Sequence, residues 1–154
     1  MNRSDESAKR NFWLIKFAPF RTGWPDIVRR GKFTLRGVRS AAARKHLAAM
    51  RLGDATLFYR SQTDQAIVGV LEVVREAYPD PTSADAQWLT CDFAPVETLP
   101  RGVALSEIRA DSRLEDIALL RQPRLSVMPV SPVEFKAVLD LANPGRKPRP
   151  VPEL

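Results

Sequence analysis

The sequence predicts an α+β domain, a small β-barrel of about five to six strands surrounded by short helices. Three observations carry this. Aromatic and β-branched runs of strand length dominate the interior. They are interleaved with short helical patterns, without regular β-α alternation. No strand leads into a glycine-rich turn, and neither a Gly-x-Gly-x-x-Gly nor a Walker lysine motif occurs among the seven glycines, which disfavours a doubly wound fold. The 154 residues fit one domain, and 44% hydrophobic residues are enough to build its core.

Taken in chain order, residues 1–10 read as a flexible polar leader, unlike a signal or transit peptide. Phe12-Trp13-Leu14-Ile15-Lys16-Phe17 is a strand that stops before Pro19. Trp24, in Gly23-Trp24-Pro25, either stacks on a ligand or covers the core ahead of a helix. Ser40 through Met50 places Ala43, Leu47 and Met50 on one helical face and leaves Arg44 and Lys45 outside; Ser40 is a candidate cap. Ala55–Tyr59 is a strand after the turn Leu52-Gly53-Asp54. Ile67–Val74 is almost continuously apolar, as in a strand buried on both faces, and Gly69 within it marks a bulge or a close backbone approach.

In Trp88–Phe93, alternation puts Leu89, Cys91 and Phe93 on one face, so Cys91 reads as a small core residue; Trp13 and Trp88 read as core aromatics. Leu105 with Ile108, and Leu114 with Ile117, suggest two short helices. Ser131, Pro132 and Glu134 form a capping box that opens a last helix, with Phe135, Val138, Leu139 and Ala142 as its buried stripe. Residues 143–154, with four of the thirteen prolines, read as a Pro/Arg-rich disordered tail.

The net charge of +6 is unevenly spread. Between Lys16 and Arg60 lie eleven basic and two acidic residues, a net +9, while the rest of the chain carries −3. Such segregation favours a polyanionic partner, with Arg21, Arg36, Arg44 and Lys45 as candidate phosphate contacts. One cysteine excludes an internal disulfide, Cys91 with His46 cannot complete a zinc site, and no apolar run approaches the ~20 residues of a membrane span. No metal, cofactor or membrane partner is expected, and the chain is expected in the cytoplasm or associated with the nucleoid. An enzyme is the weaker class: His46 is a lone histidine in a basic helix, Asp80, Asp85 and Asp92 have no pairing pattern, and no nucleophile elbow occurs.

Several segments, in order, resemble the EVE domains of the PUA-like superfamily. Phe12-Trp13-Leu14-Ile15-Lys16-Phe17-Ala18-Pro19 resembles the family's opening strand ending in Lys-Ser-Glu-Pro. Gly37-Val38-Arg39-Ser40 is similar to its Gly-Val-Arg-Asn helix entry, and Phe58-Tyr59-Arg60-Ser61 to its Phe-Tyr-His-Ser strand end. Glu72–Thr82 and Arg124–Val130 also match the pattern, and the resemblance covers residues 11–142. It implies a PUA-like barrel close to the YTH and ASCH domains. It further implies a non-enzymatic role, reading a modified base of DNA or RNA in a concave pocket. A flipped base needs a slot for its face, polar groups for its edge and cations for its phosphates.

Carried onto this chain, that pocket takes in Lys16, Phe17 and Ala18, then Leu35, Arg39 and Ser40, then Tyr59, Arg60 and Ser61, and finally Leu125 and Ser126; Trp24 joins them as a candidate stacking surface. The chain departs from the family here. Phe17 and Ala18 replace Ser and Glu, Leu35 stands where many members have Trp, Ser40 replaces Asn, Ala41 replaces an aromatic or His, and Arg60 replaces His. An apolar slot of Phe17 and Leu35 rimmed by Arg39 and Arg60 also suits a small aromatic anion or a protein partner, the alternative to a nucleic-acid base.

Overall fold

The computed structural model describes residues 10–18, 23–61 and 64–144. Most of the expected leader and tail, residues 1–9 and 145–154, lies outside the described residues, as does Arg21.

Six strands form one mixed sheet: β1 (Phe12–Phe17), β2 (Phe33–Thr34), β3 (Ala55–Arg60), β4 (Ala66–Pro79), β5 (Leu89–Ala104) and β6 (Val127–Val130), in the order β2-β5-β4-β3-β1-β6. The fold is α+β as the sequence predicts, but the barrel is not closed: β2 and β6 are the two edges and do not pair with each other. Both edges are too short to zip together, two and four residues, and β6 carries Pro129, which has no amide hydrogen to donate.

The centre of the sheet is a parallel pair. β1 runs alongside β3 with Phe12 opposite Ala55 and Phe17 opposite Arg60, and every other neighbouring pair is antiparallel. Both strands are buried along nearly their whole length, which explains their unbroken apolar sequences. Because side chains in register share a face, Lys16 and Tyr59 emerge side by side at the carboxyl end of this pair. The ladder is continued one step by Ser61, whose amide donates to the Phe17 carbonyl at 3.0 Å.

Helices follow local signals. Helix α1 (Trp24–Arg30) starts with Pro25 in its first turn and stops at Gly31, whose φ of 73° is the left-handed conformation that glycine tolerates best. Helix α2 (Ala41–Ala49) is capped by Ser40, whose Oγ accepts from the Ala43 amide at 3.2 Å, and it buries Ala43 and Leu47. Leu105 and Ile108 fall in α3 (Leu105–Ala110); Leu114 ends a 3-10 turn (Ser112–Leu114), and Ile117 immediately precedes α4 (Ala118–Arg121). Helix α5 (Pro132–Ala142) has the expected capping box: Ser131 Oγ accepts from the Glu134 amide at 3.1 Å, and Glu134 Oε1 accepts from the Ser131 amide at 2.9 Å. Asn143, assigned to the tail from sequence, is buried and donates to the Leu139 carbonyl at 2.7 Å, closing this helix.

An aromatic cluster fills the core. Phe33 meets Phe17 edge-on at 4.9 Å and Phe58 at 5.7 Å, and Trp24 packs on Phe58 at 5.3 Å. Gly69 does both things expected of it. The β3–β4 register slips beside it, and a Cβ there would lie 2.1 Å from the Trp24 ring. Trp24 also donates Nε1–H to Thr98 Oγ1 at 2.9 Å, which fixes the indole against the sheet. Cys91 and Phe93 are fully buried, as their alternation predicts. Trp88 is only half-buried, just ahead of β5, with the Arg44 guanidinium over its ring, so the core assignment read from sequence does not hold for it.

Candidate functional site

The carboxyl ends of β1 and β3 open into a cleft of about 390 Å3. Lys16, Tyr59 and Ser61 come from the strand ends, Gln65 from the residue before β4 and Arg109 from α3. Leu105, Leu119, Leu120 and Pro123 supply its apolar wall. Lys16 is half-buried and its Nζ donates to the Pro123 carbonyl at 2.6 Å. Burial lowers its pKa, so a nearby anion would relieve the ammonium. The Tyr59 hydroxyl donates to Gln65 Oε1 at 2.9 Å. Burial raises the tyrosine pKa and the positive charge of Arg109 opposes that rise. Among the described residues no carboxylate lines the cleft.

A second, more open depression of about 440 Å3 lies on the other side of Pro123, lined by Ser40, Ala42, Gln122, Arg124 and Leu125. Pro123 borders both spaces, and the Lys16 ammonium and the Lys16 amide, which donates to the Ser126 carbonyl at 2.9 Å, hold this loop against β1.

The sequence-predicted pocket residues therefore divide into groups. Lys16, Tyr59 and Ser61 share the cleft, while Ser40 and Leu125 share the depression. Ala18 and Ser126 are half-buried beside them in the chain. Phe17, Trp24 and Leu35 belong to the aromatic core, at 8%, 7% and 2% exposure. Arg39 bonds the buried carboxylate of Asp80 at 3.1 Å, and Arg60 pairs with Asp64 at 3.0 Å. Phe17, Leu35, Arg39 and Arg60 line neither space, so the apolar slot read from sequence is not the opening found here.

Of the phosphate candidates, Arg36 and Lys45 are exposed. Arg44 donates to Gln87 Oε1 at 2.7 Å and covers Trp88. Sequence reasoning missed Gln65, Arg109, Leu119, Leu120 and Pro123. Helical spacing offered one signal: Arg109 is four residues beyond Leu105 and so shares its face. Among the described residues no group of His, Cys, Asp and Glu could hold a metal ion, and no helix is long and apolar enough to cross a membrane.

Residues 11–141 match the model of the EVE domain. The chain is 30% identical over 165 residues to mouse thymocyte nuclear protein 1, an alignment covering 85% of this chain and 73% of that protein. It spans between 53% and 73% of the length of the curated relatives it matches. Among solved structures, a protein from Agrobacterium tumefaciens superposes with a TM-score of 0.85 at 33% identity, over 90% of this chain and 97% of that one. The human THYN1 protein, solved in complex with DNA containing 5-methylcytosine, gives 0.81 at 26% identity, over 88% and 99%. An ASCH protein from Zymomonas mobilis, at 10% identity and a TM-score of 0.53 over 86% and 96% of the two chains, shares the fold alone. With its ordered strand-end motifs, its mixed six-stranded sheet and a family match along almost the whole described chain, the protein belongs to the EVE domain family and has its PUA-like fold.

Proposed function

We propose that this EVE domain is a non-enzymatic nucleic-acid-binding module that takes one base, a modified one, into the cleft between β1, β3 and α3. The observation that carries the reading is the cleft itself: two cations, a buried tyrosine and a carboxamide converge there, and no carboxylate among the described residues opposes them. Such a lining suits a ligand that brings negative charge and hydrogen-bond acceptors. The human relative solved with 5-methylcytosine-containing DNA supports a modified base in DNA as the ligand class. Exposed Arg36 and Lys45 add positive field for the surrounding phosphates. The match to the EVE domain and the DNA-bound human relative support binding over catalysis.

The test is binding of modified and unmodified oligonucleotides, single-stranded and duplex, at two salt concentrations. For two phosphate contacts, affinity should fall roughly tenfold between about 50 and 200 mM salt. Binding that is flat with salt and indifferent to base modification overturns the proposal. Stabilisation by free small anions alone, in a thermal-shift screen, would do so as well.

A further inference from the structure

The turn between α4 and β6 stands between two openings. The Leu125 amide donates to the Gln122 carbonyl at 3.0 Å, closing a tight turn with Pro123 and Arg124 as its central residues. Proline suits the first of these places because its ring presets the backbone angle the turn needs. Two bonds from Lys16 pin the turn to β1: its amide donates to the Ser126 carbonyl at 2.9 Å and its ammonium to the Pro123 carbonyl at 2.6 Å. Pro123 is therefore a fixed partition, with the cleft on one side and the depression of about 440 Å3 on the other. Arg124 lines the depression and not the cleft. It is exposed, and among the described residues its side chain has no ion-pair or hydrogen-bond partner, whereas Arg121, three residues earlier, pairs with Asp116 at 2.8 Å. No carboxylate among the described residues lines the depression; Ser40 and Gln122 bring polar groups, Pro123 and Leu125 apolar surface.

Building on the base-reading function, we propose that the depression is a second nucleotide site, which holds the nucleotide next to the base in the cleft, with Arg124 on the phosphate that joins the two. The partition is one residue wide, so a strand with one base in the cleft crosses Pro123 with its next unit on the far side. A guanidinium can donate to two oxygens of one phosphate, and a turn already held in place loses little freedom in doing so. Pro123 and Leu125 offer the neighbouring sugar and base an apolar surface without a fixed donor or acceptor pattern. This site therefore positions the strand and adds affinity, while the cleft carries the discrimination between bases.

The experiment measures binding of the full chain to oligonucleotides with one central 5-methylcytosine, in which the phosphate on either side of that nucleotide is replaced in turn by an uncharged methylphosphonate. With the wild-type protein, one of the two replacements should weaken binding about fivefold at low salt. Arg124→Ala should bind the all-phosphate oligonucleotide about fivefold more weakly, and there the same replacement should cost less than about twofold, because the charge it removes has lost its partner. Arg121→Ala, an exposed arginine of the same segment, should leave the wild-type cost of the replacement unchanged. If the oligonucleotide binds but neither replacement is coupled to Arg124, the second site is overturned while base reading stands. If the wild-type protein does not bind the 5-methylcytosine oligonucleotide, base reading falls and this inference with it.

Discussion

Two polar regions of this protein use charge in opposite ways. Around Asp80 the charge is consumed internally. The carboxylate is buried at 1% exposure and accepts from the Gly37 amide at 2.8 Å, from Arg39 at 3.1 Å, and from the amide and hydroxyl of Thr82 at 2.8 and 2.6 Å. Gly37 can turn toward it because its φ of 86° is the left-handed conformation. In the cleft at the ends of β1 and β3, Arg109 and the Gln65 NH2 group keep their donors uncommitted among the described residues, and Lys16 donates only to a carbonyl. The family's helix-entry segment, Gly37-Val38-Arg39-Ser40, builds a joint between α2 and the β4–β5 connection, whereas the strand ends build an opening. A cation count in the sequence cannot separate these uses, because Asp80 and Gln87, which engage Arg39 and Arg44, lie more than forty residues along the chain.

The largest effect should come from breaking the consumed region. Asp80→Ala leaves two amides and the Arg39 guanidinium without their acceptor, and should cost about 3 kcal/mol of stability in denaturant unfolding. A loss under about 0.5 kcal/mol would show that the carboxylate is not a structural joint and would erase the contrast. The same group gives a pH signature. Burial alone would raise its pKa, but the bonds from Thr82, Gly37 and Arg39 outweigh burial and hold the carboxyl well below the usual range. A depressed folded-state pKa adds stability that is fully present above the unfolded value near ~3.9 and is lost as pH falls toward the folded value. Unfolding free energy should therefore decline more steeply below about pH 4 in the wild type than in Asp80→Asn, which has no proton to take up there.

The cleft should respond in binding and not in stability. Arg109→Ala removes an exposed cation from a short helix, so melting should move little, since surface changes usually stay within about 0.5 kcal/mol. Oligonucleotide affinity should fall roughly tenfold, and the slope of log affinity against log salt should shrink by about one. Arg44→Ala is the matched comparison. Arg44 is already engaged with Gln87 and Trp88, so its removal should weaken binding about threefold at most and alike for every sequence. Equal losses for the two arginines would contradict the distinction between committed and uncommitted charge.

How much was legible in the sequence follows the same division between local and distant information. Helix α5 was readable because Ser131, Pro132 and Glu134 lie within four residues of one another and fix their own hydrogen bonds. The first strand was readable for the same reason, as was the family, whose motifs are continuous segments. The second half of β5 was not. Pro100 and Gly102 interrupt its sequence, and the β4–β5 ladder absorbs them by slipping register, from Gly69 opposite Thr98 to Ile67 opposite Val103. Of the cleft, Lys16, Tyr59 and Ser61 were found because two strand ends each carry a motif. Gln65 and Arg109 were missed because only the tertiary fold brings α3 against the start of β4. The basic segment from Lys16 to Arg60 was visible as charge, but Asp80, Asp64 and Gln87, which engage three of its arginines, all lie outside it.

The smallest expected effect is also the one with the least ambiguous direction. Arg60 stands between Tyr59 and Ser61 and would add to the cleft's positive field, but its guanidinium pairs with Asp64 and its Nε donates to the Asp64 carbonyl. Asp64 is 81% exposed at its side chain, so the ion pair adds little to stability, on the order of 0–1 kcal/mol before screening by salt. Asp64→Asn keeps the carbonyl contact and removes one negative charge beside the cleft. If unneutralised cations are what the cleft offers a polyanion, the substitution should tighten oligonucleotide binding about twofold at low salt. The gain should vanish above roughly 0.3 M salt, where the Debye length is under about 6 Å. Loss-of-binding variants can always be attributed to damage, whereas a gain from deleting an exposed acid has no such explanation. An unchanged affinity at low salt would mean that charge next to the cleft does not govern binding, and recognition would then rest on the Tyr59 and Gln65 hydrogen bonds and the leucine wall.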